Sequence, residues 1–299
     1  MHDDEFNIYD GLVRGMVDSQ FPQWAGLPLG RVQSSGTVHA IYRLGSDLAV
    51  RLPRAAEFTP ALEREATLLP VLGPALPLAI PELVAVGVPT EDYPSTWSIL
   101  RWIDGAPMAG TSVDDPESAA ERLGAFVEAL RSIEVAGEPS TNQRGRPLAA
   151  SDEWTRASIA AVAGEFDPVV LTARWESALA VPSWDGATTW IHGDLLPGNL
   201  LIRDGDLTAV IDFGECAVGN PTCDLVAGWW VFEGSSRDVF RRASGADWDS
   251  WNRARGWALS GAVGALAYYA RTNPEFSDQA RRTIRSVIAD SVRGSPMVS

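Results

Sequence analysis

The pattern of hydrophobic and polar positions divides the chain into a strand-rich part and a helix-rich part. Residues 1–20 carry apolar side chains at the spacing of one helix face, which predicts a short helix. Runs of β-branched residues and tyrosine at 29–34, 38–44 and 48–53 are separated by turns that contain glycine. These runs predict three consecutive antiparallel strands.

The segment TPALEREATLL, which begins at Thr59, predicts a helix. Thr59 suits the N-cap and Pro60 the first helical position. Leu62 and Leu69 recur on one face, and Glu65 lies three residues after the first and four before the second. An acidic side chain in an apolar stripe is unusual for an ordinary helix surface. Glu65 is therefore a candidate functional residue.

Two more runs with strand character, at 80–88 and 97–103, bring the first part of the chain to five predicted strands. Beyond them the apolar positions follow a mostly helical period. We therefore predict an α+β protein with an N-terminal lobe of residues 1–103 and a helical C-terminal lobe of residues 104–299.

The composition is that of a globular protein, and its charge limits the partners. The 299 residues are 45% hydrophobic and carry a net charge of -15. A nucleic-acid-binding surface needs a basic footprint, which this acidic chain does not offer. The same charge favours attraction of a cationic small molecule.

The sequence predicts neither membrane insertion nor secretion. The longest apolar stretch, residues 257–270, is too short and too polar to span a bilayer. The N-terminus, MHDDEFNIYD, is acidic and has no apolar run of the kind that a secretory signal needs. We expect a cytoplasmic protein whose Cys216 and Cys223 are reduced core thiols, because no CxxC pair accompanies them.

The stretch WIHGDLLPGNLLIRDGDLTAVIDFG, residues 190–214, concentrates the chemistry of the chain. Its turn DGD lies between two apolar runs and predicts a β-hairpin. Asp194 and Asn199 lie five residues apart in the loop before the hairpin, and Asp212 follows its second strand. A carboxylate can orient a hydroxyl group and accept its proton. An amide oxygen and a second carboxylate are hard ligands that suit Mg²⁺ carrying nucleotide phosphates.

The sequence HGDLLPGN followed by IDFG resembles the catalytic and metal loops of aminoglycoside phosphotransferases and related antibiotic kinases, distant kin of protein kinases. The resemblance implies a bilobal protein-kinase-like fold with a five-stranded antiparallel sheet and one helix in the N-terminal lobe. It implies that Asp194 is catalytic, that Asn199 and Asp212 bind Mg²⁺, and that ATP or GTP donates the phosphate. His192 is expected to orient the loop, and Asp224, in NPTCDL, to hydrogen-bond its backbone.

The resemblance also places a phosphate-binding basic residue at Arg51, within LAVRLPR, and pairs it with Glu65. The family usually has lysine at this position. Lysine is absent from this chain, because all 24 residues of the Lys+Arg total are arginines. Arginine is a permanent cation that can hold phosphate through two donors, although it is bulkier than lysine.

The turn QSSGTVH corresponds to the segment that covers the phosphates. Hydroxyl and backbone N–H groups of Ser34, Ser35, Gly36 and Thr37 could contact phosphate oxygens, and a plain hairpin turn fits the same residues equally well. We interpret His39, which follows this turn, as a strand residue rather than a ligand.

The segment WSILRWIDG resembles the link between the lobes, whose backbone binds the nucleobase in the family. This implies that the Arg101 carbonyl and the Ile103 N–H lie beside the base, with Leu100 behind it.

The acceptor site is expected beyond the DFG sequence, among the C-terminal helices. Acidic side chains would bind the ammonium groups of an aminoglycoside, and tryptophans would stack on a sugar ring. The candidate residues are Glu215, Trp229, Trp230, Glu233, Asp238, Asp247 and Asp249.

We interpret the chain as a Mg²⁺-dependent small-molecule O-kinase, a monomer or weak dimer, that transfers the γ-phosphate of ATP or GTP to an antibiotic hydroxyl. Alternative acceptors are a macrolide or another hydroxylated metabolite, such as a sugar, an amino alcohol or homoserine. A further alternative is a nucleotide-binding pseudokinase, which the arginine in place of lysine would favour.

Overall fold

The structure is a computed structural model that describes residues 5–33, 38–135 and 144–290. Four candidates for phosphate contacts lie outside these ranges: Ser34, Ser35, Gly36 and Thr37. Among the described residues, no helix has both the length and the apolar character needed to cross a membrane.

The chain forms two compact units. The first comprises Met1–Gly105 and Ala209–Gly214, and the second comprises Ala106–Thr208 and Glu215–Ser299. The boundary predicted after residue 103 places all later residues in the second lobe. The structure differs in returning Ala209–Gly214 to the first unit, because this segment hydrogen-bonds there: the Val210 N–H donates to the Ala79 carbonyl at 2.9 Å.

The predicted five-stranded sheet forms the body of the first unit. Its strands are β1 (Leu29–Arg31), β2 (His39–Leu44), β3 (Leu48–Pro53), β4 (Leu83–Gly87) and β5 (Trp97–Arg101). They are ordered β1-β2-β3-β5-β4, and each is antiparallel to its neighbours. Strand β1 is shorter than the predicted run 29–34. In the described part of this unit, helices α1 (Asp10–Gln20) and α2 (Thr59–Leu72) accompany the sheet.

The core of the first unit follows the apolar pattern of the sequence. Val13 and Val17 of α1 are buried in one cluster with Tyr42 and Trp97 of the sheet. Helix α2 buries its apolar stripe, and Glu65 is buried with it at 3% exposure. A carboxylate at this depth requires a charged or hydrogen-bonding partner.

The second unit is mostly helical. Its helices are α3 (Pro116–Ser132), α4 (Asp152–Ala161), α5 (Pro168–Leu179), α6 (Ala227–Trp230), α7 (Gly234–Ala243), α8 (Trp248–Tyr269) and α9 (Pro274–Ala289). Asp115 caps α3 by accepting the backbone N–H groups of Glu117 and Ser118. Asp247 caps α8 through the Ser250 N–H, which gives one of the acidic acceptor candidates a structural role.

Short strands carry the loops of the motif region. They are β6 (Ala106–Pro107), β7 (Thr189–Ile191), β8 (Leu200–Arg203), β9 (Asp206–Val210) and β10 (Ala217–Gly219). The predicted hairpin joins β8 to β9 through Asp204 and Gly205, whose φ angles are 53° and 81°. Positive φ at both central residues is the requirement of the tight turn that Asp-Gly favours.

Candidate active site

The loop after β7 holds Asp194 in the second unit. Gly193, directly before it, has φ 81°, and a Cβ atom there would lie 2.7 Å from the Glu215 carbonyl oxygen. Both the left-handed backbone and this close approach require glycine. The HGD sequence therefore fixes the course of the chain at the point where the Asp194 side chain, 23% exposed, projects.

Asp224 anchors the start of this loop, as the sequence analysis expected. Its buried carboxylate accepts the His192 N–H at 2.7 Å and the Gly193 N–H at 2.8 Å. Burial raises the pKa of the Asp224 carboxyl, while these two hydrogen bonds oppose that change. His192 is fully buried, and its Nδ1 atom accepts the Asp194 N–H at 3.2 Å. Both residues therefore act on the backbone of the loop.

Asn199 closes the loop on the other side of Asp194. Its Nδ2 donates to the backbone carbonyl and to the Oδ2 atom of Asp194, both at 2.9 Å. These bonds use the amide nitrogen, so the amide oxygen is the atom that Asn199 can offer to a metal ion.

Arg144 is a residue of this site that the sequence analysis did not predict. Its Nη2 atom lies 3.4 Å from Asp194 Oδ1, and its side chain is 51% exposed. No pattern in the sequence predicts this contact, because Arg144 lies in a polar stretch 50 residues before its partner.

In the first unit, Arg51 of β3 forms ion pairs with two other candidate residues, Glu65 and Asp212. Its guanidinium is buried, with Nη1 donating to Glu65 Oε2 and Nη2 donating to Asp212 Oδ1 at 2.7 Å. Although burial lowers the pKa of Arg51, the carboxylates of Glu65 and Asp212 raise it above its ordinary value. The remaining Glu65 oxygen, Oε1, accepts the Phe213 N–H at 3.1 Å. Glu65 thus holds both the cation and the DFG backbone.

Asp212 has a backbone conformation that aspartate seldom adopts. Its φ is 66°, and its side chain is 42% exposed. A residue other than glycine in the left-handed region costs about 1–3 kcal/mol and persists where surrounding contacts impose it. Here the Phe213 N–H bond to Glu65 and the Arg64 bond to the Gly214 carbonyl, at 2.8 Å, hold the segment.

The predicted nucleobase segment follows β5. The Arg101 N–H donates to the Glu82 carbonyl and the Trp102 N–H to the Asp47 carbonyl, both at 2.8 Å. Among the described residues, no backbone carbonyl accepts the Ile103 N–H. Leu100, at 8% exposure, lies in the sheet before this segment.

The two tryptophans that were predicted to contact the acceptor are buried. Trp229 is 3% exposed, with its ring 4.5 Å from that of Trp251 and its Nε1 donating to Asp290 at 3.1 Å. Trp230 is 7% exposed and stacks on Phe276. Both indoles are therefore core residues, which corrects the expectation that they form an acceptor surface.

Two of the acidic candidates, Glu215 and Glu233, are exposed. Glu215 follows Gly214, and Glu233 immediately precedes α7. Among the described residues, no group of three or more histidine, cysteine, aspartate or glutamate side chains forms a metal site by itself. Mg²⁺ seldom needs one, because it binds through one or two protein oxygens together with phosphates and water. Cys216 and Cys223 are both buried, as expected of core thiols, and no disulfide joins them in the described structure.

Replacing Asp224 with alanine is expected to destabilise the protein by about 2–6 kcal/mol, because the N–H groups of His192 and Gly193 lose their acceptors at about 1–3 kcal/mol each. Urea unfolding monitored by tryptophan fluorescence measures this loss. Asp224→Asn, which keeps one acceptor oxygen, should lose less. Equal stability of the unchanged protein and Asp224→Ala would show that Asp224 does not support the loop.

Comparison with known proteins identifies the class of this chain. The sequence pattern of the "Phosphotransferase enzyme family" matches residues 29–257. The chain belongs to this family and is a phosphotransferase. No curated protein sequence matches it significantly.

Solved structures agree with this assignment at the level of the fold. An aminoglycoside 2'-phosphotransferase-IIIa in complex with GDP has a TM-score of 0.71 at 21% identity, covering 94% of this chain and 99% of that one. The ADP-bound aminoglycoside phosphotransferase APH(2'')-Ib has a TM-score of 0.62 at 15% identity, with coverage of 93% and 99%. The macrolide 2'-phosphotransferase MphH from Brachybacterium faecium has a TM-score of 0.59 at 23% sequence identity, covering 93% of this chain and 99% of that one. The predicted protein-kinase-like α+β fold is confirmed.

Proposed function

We propose that this phosphotransferase is a small-molecule O-kinase that transfers the γ-phosphate of ATP or GTP to a hydroxyl group of an aminoglycoside-type antibiotic. The observation that carries the proposal is the Asn199 hydrogen bond to the Asp194 carboxylate, in a loop anchored by Asp224. This bond holds a proton acceptor beside a prospective metal ligand. Such a pairing suits phosphoryl transfer, in which catalysis is mostly placement and charge stabilisation.

The second unit supplies the acceptor chemistry. Asp194 orients the acceptor hydroxyl and takes its proton as the oxygen bonds to the γ-phosphorus, while the bond from that phosphorus to the β,γ-bridging oxygen breaks and ADP or GDP leaves. The Asn199 bond restricts the Asp194 carboxylate, and the His192 and Asp224 contacts restrict the loop that carries it. The proton acceptor is therefore already positioned before the hydroxyl arrives.

The first unit supplies the groups for the nucleotide. Arg51 neutralises phosphate charge, Glu65 holds Arg51, and the Ile103 N–H and Arg101 carbonyl meet the base. Asp212 of this unit offers a partly exposed carboxylate, and Asn199 of the second unit offers a partly exposed amide oxygen; each is by itself a hard ligand of the kind that Mg²⁺ prefers. When bound, Mg²⁺ offsets the negative charge of the phosphates.

The nature of the acceptor is supported by charge. The net charge of -15, with exposed Glu215 and Glu233, favours a cationic antibiotic. Solved relatives include complexes with GDP and kanamycin and with ATP and streptomycin. Arg144, close to Asp194, favours a second acceptor class, because a guanidinium would repel a polycation and bind a carboxylate. A hydroxylated metabolite that carries a carboxylate, such as homoserine, fits that observation.

Mass spectrometry of an acceptor panel tests the proposal. The protein is incubated with Mg²⁺, ATP or GTP, and kanamycin, streptomycin, a macrolide, simple sugars, an amino alcohol or homoserine. Gain of one phosphoryl group by an aminoglycoside supports the main proposal, and gain by homoserine supports the second. Nucleotide binding with no phosphorylated acceptor would overturn both and indicate a pseudokinase.

A further inference from the structure

The Arg51 guanidinium has a third hydrogen-bond partner besides its two carboxylates. Its Nη2 atom lies 3.1 Å from Nδ1 of His39, on the neighbouring strand β2. Arginine can only donate hydrogen bonds, so the imidazole Nδ1 must be the acceptor and the ring proton of neutral His39 must be on Nε2. The two protons of Nη2 are thus shared between Asp212 and His39.

The sheet register creates this contact. Ile41 lies opposite Arg51 and His39 lies opposite Pro53 in the antiparallel pair of β2 and β3. His39 is therefore the diagonal neighbour of Arg51 on the same face, at a distance that long side chains can reach. The contact follows from the strand pairing itself and does not depend on a loop.

The burial of His39 is unfavourable by itself, which indicates that its contact with Arg51 contributes to the structure of the site. His39 is 6% exposed, and among the described residues its Nε2 atom has no hydrogen-bond partner. A buried donor without an acceptor is unfavourable, and an apolar residue at this strand position would avoid it. In the described structure, the hydrogen bond that Arg51 Nη2 donates to His39 Nδ1 offsets the cost of burying this imidazole.

We propose that His39 is a positioning residue that fixes the plane of the Arg51 guanidinium. A guanidinium is a planar fork with two terminal nitrogens, whereas an ammonium group is a single point of charge. Glu65 holds Nη1, and His39 together with Asp212 holds Nη2, so rotation of the fork would break one of three bonds. His39 is thus the partner that an arginine requires in this position. The role rests on the proposed function, in which Arg51 binds the nucleotide phosphates.

A double-mutant cycle on nucleotide affinity tests the proposal. The variants are His39→Leu, which removes the acceptor at similar volume, His39→Asn, whose Oδ1 can replace Nδ1, and Arg51→Lys. Binding of Mg²⁺–ATP and Mg²⁺–GTP is measured by titration calorimetry, and thermal unfolding without nucleotide checks that each variant is folded.

Loss of the acceptor is expected to weaken nucleotide binding by about 10- to 100-fold in the Arg51 protein, the range typical of residues that orient a ligand-binding group. His39→Asn should restore most of the affinity. Arg51→Lys weakens binding by itself, and adding His39→Leu should then change it by less than about twofold, because the bond is already absent.

The outcomes separate this role from the proposed function. If the unchanged protein binds no nucleotide, the proposed function fails and the role of His39 fails with it. If it binds nucleotide, but His39→Leu weakens binding equally in the Arg51 and Arg51→Lys backgrounds, the role alone is overturned. Failure of His39→Asn to restore affinity while it remains folded also overturns the role.

Discussion

Asp194→Asn is expected to lower turnover by about 10²- to 10⁴-fold, the range for removal of a general base. Asparagine keeps an oxygen that can accept the bond from Asn199, so the loop geometry is expected to persist. It cannot take a proton from the acceptor hydroxyl. The loss should therefore appear in kcat, with little change in nucleotide affinity.

Coupled detection of ADP or GDP release measures this turnover, with any acceptor that the mass-spectrometric panel identifies. Asp92→Asn is the matched control, because Asp92 is exposed in a bend about 100 residues before Asp194 in the sequence and should leave turnover unchanged. Turnover of Asp194→Asn within a few-fold of the unchanged protein would exclude Asp194 as the proton acceptor. Loss of nucleotide binding together with turnover would instead indicate that the substitution disrupts the loop.

The second large effect concerns stability in acid. The pKa of His39 is lowered from 6.5 to about 3, first by burial and then by the charge of Arg51, while Asp212 partly opposes the change. Arg54 contributes in the same direction as Arg51. Between pH 6.5 and about 3, His39 therefore binds a proton in the unfolded chain but not in the folded chain.

The contribution of neutral His39 to stability is therefore complete above pH 6.5 and is lost as the pH falls toward 3. One proton taken up on unfolding gives a slope of about 1.4 kcal/mol per pH unit in the free energy of unfolding. His39→Asn has no group that titrates there. Its curve of unfolding free energy against pH should be flatter than that of the unchanged protein by this slope.

Urea unfolding at pH 7 and pH 4.5, without nucleotide or Mg²⁺, measures this difference. The unchanged protein should lose about 2–3 kcal/mol more than His39→Asn between the two values. The carboxylates titrate in both proteins, so their contribution cancels in the comparison. Parallel stability curves would show that His39 does not have a depressed pKa in the folded protein.

Sequence reasoning succeeded where the informative contacts are local or break a pattern. Asp194 and Asn199 lie in one loop, and the bond that joins them spans five residues. Glu65 was predicted as a functional residue because a carboxylate in a buried apolar stripe requires a charged or hydrogen-bonding partner. In the structure, that partner is Arg51. The strands of the first unit followed from runs of β-branched residues between glycine-containing turns.

It failed where the contacts depend on the path of the folded chain. Arg144 reaches Asp194 across 50 residues of sequence, and no periodic pattern connects them. His39 was interpreted as an ordinary strand residue, because its proximity to Arg51 requires the register of two strands and not only their existence. Trp229 and Trp230 are adjacent on a four-residue helix that is buried on all sides, so exposure could not be inferred from spacing.

The return of Ala209–Gly214 to the first unit has a consequence for how the protein can be divided. The N-terminal lobe is not a continuous piece of sequence, since a fragment ending near residue 105 would lack the chain that hydrogen-bonds to Ala79. That fragment would also lose the carboxylate of Asp212 and leave Glu65 as the one carboxylate that, among the described residues, bonds Arg51. The two units therefore cannot be separated by a single cut of the chain, and the charged cluster around Arg51 forms only after the chain has passed residue 212.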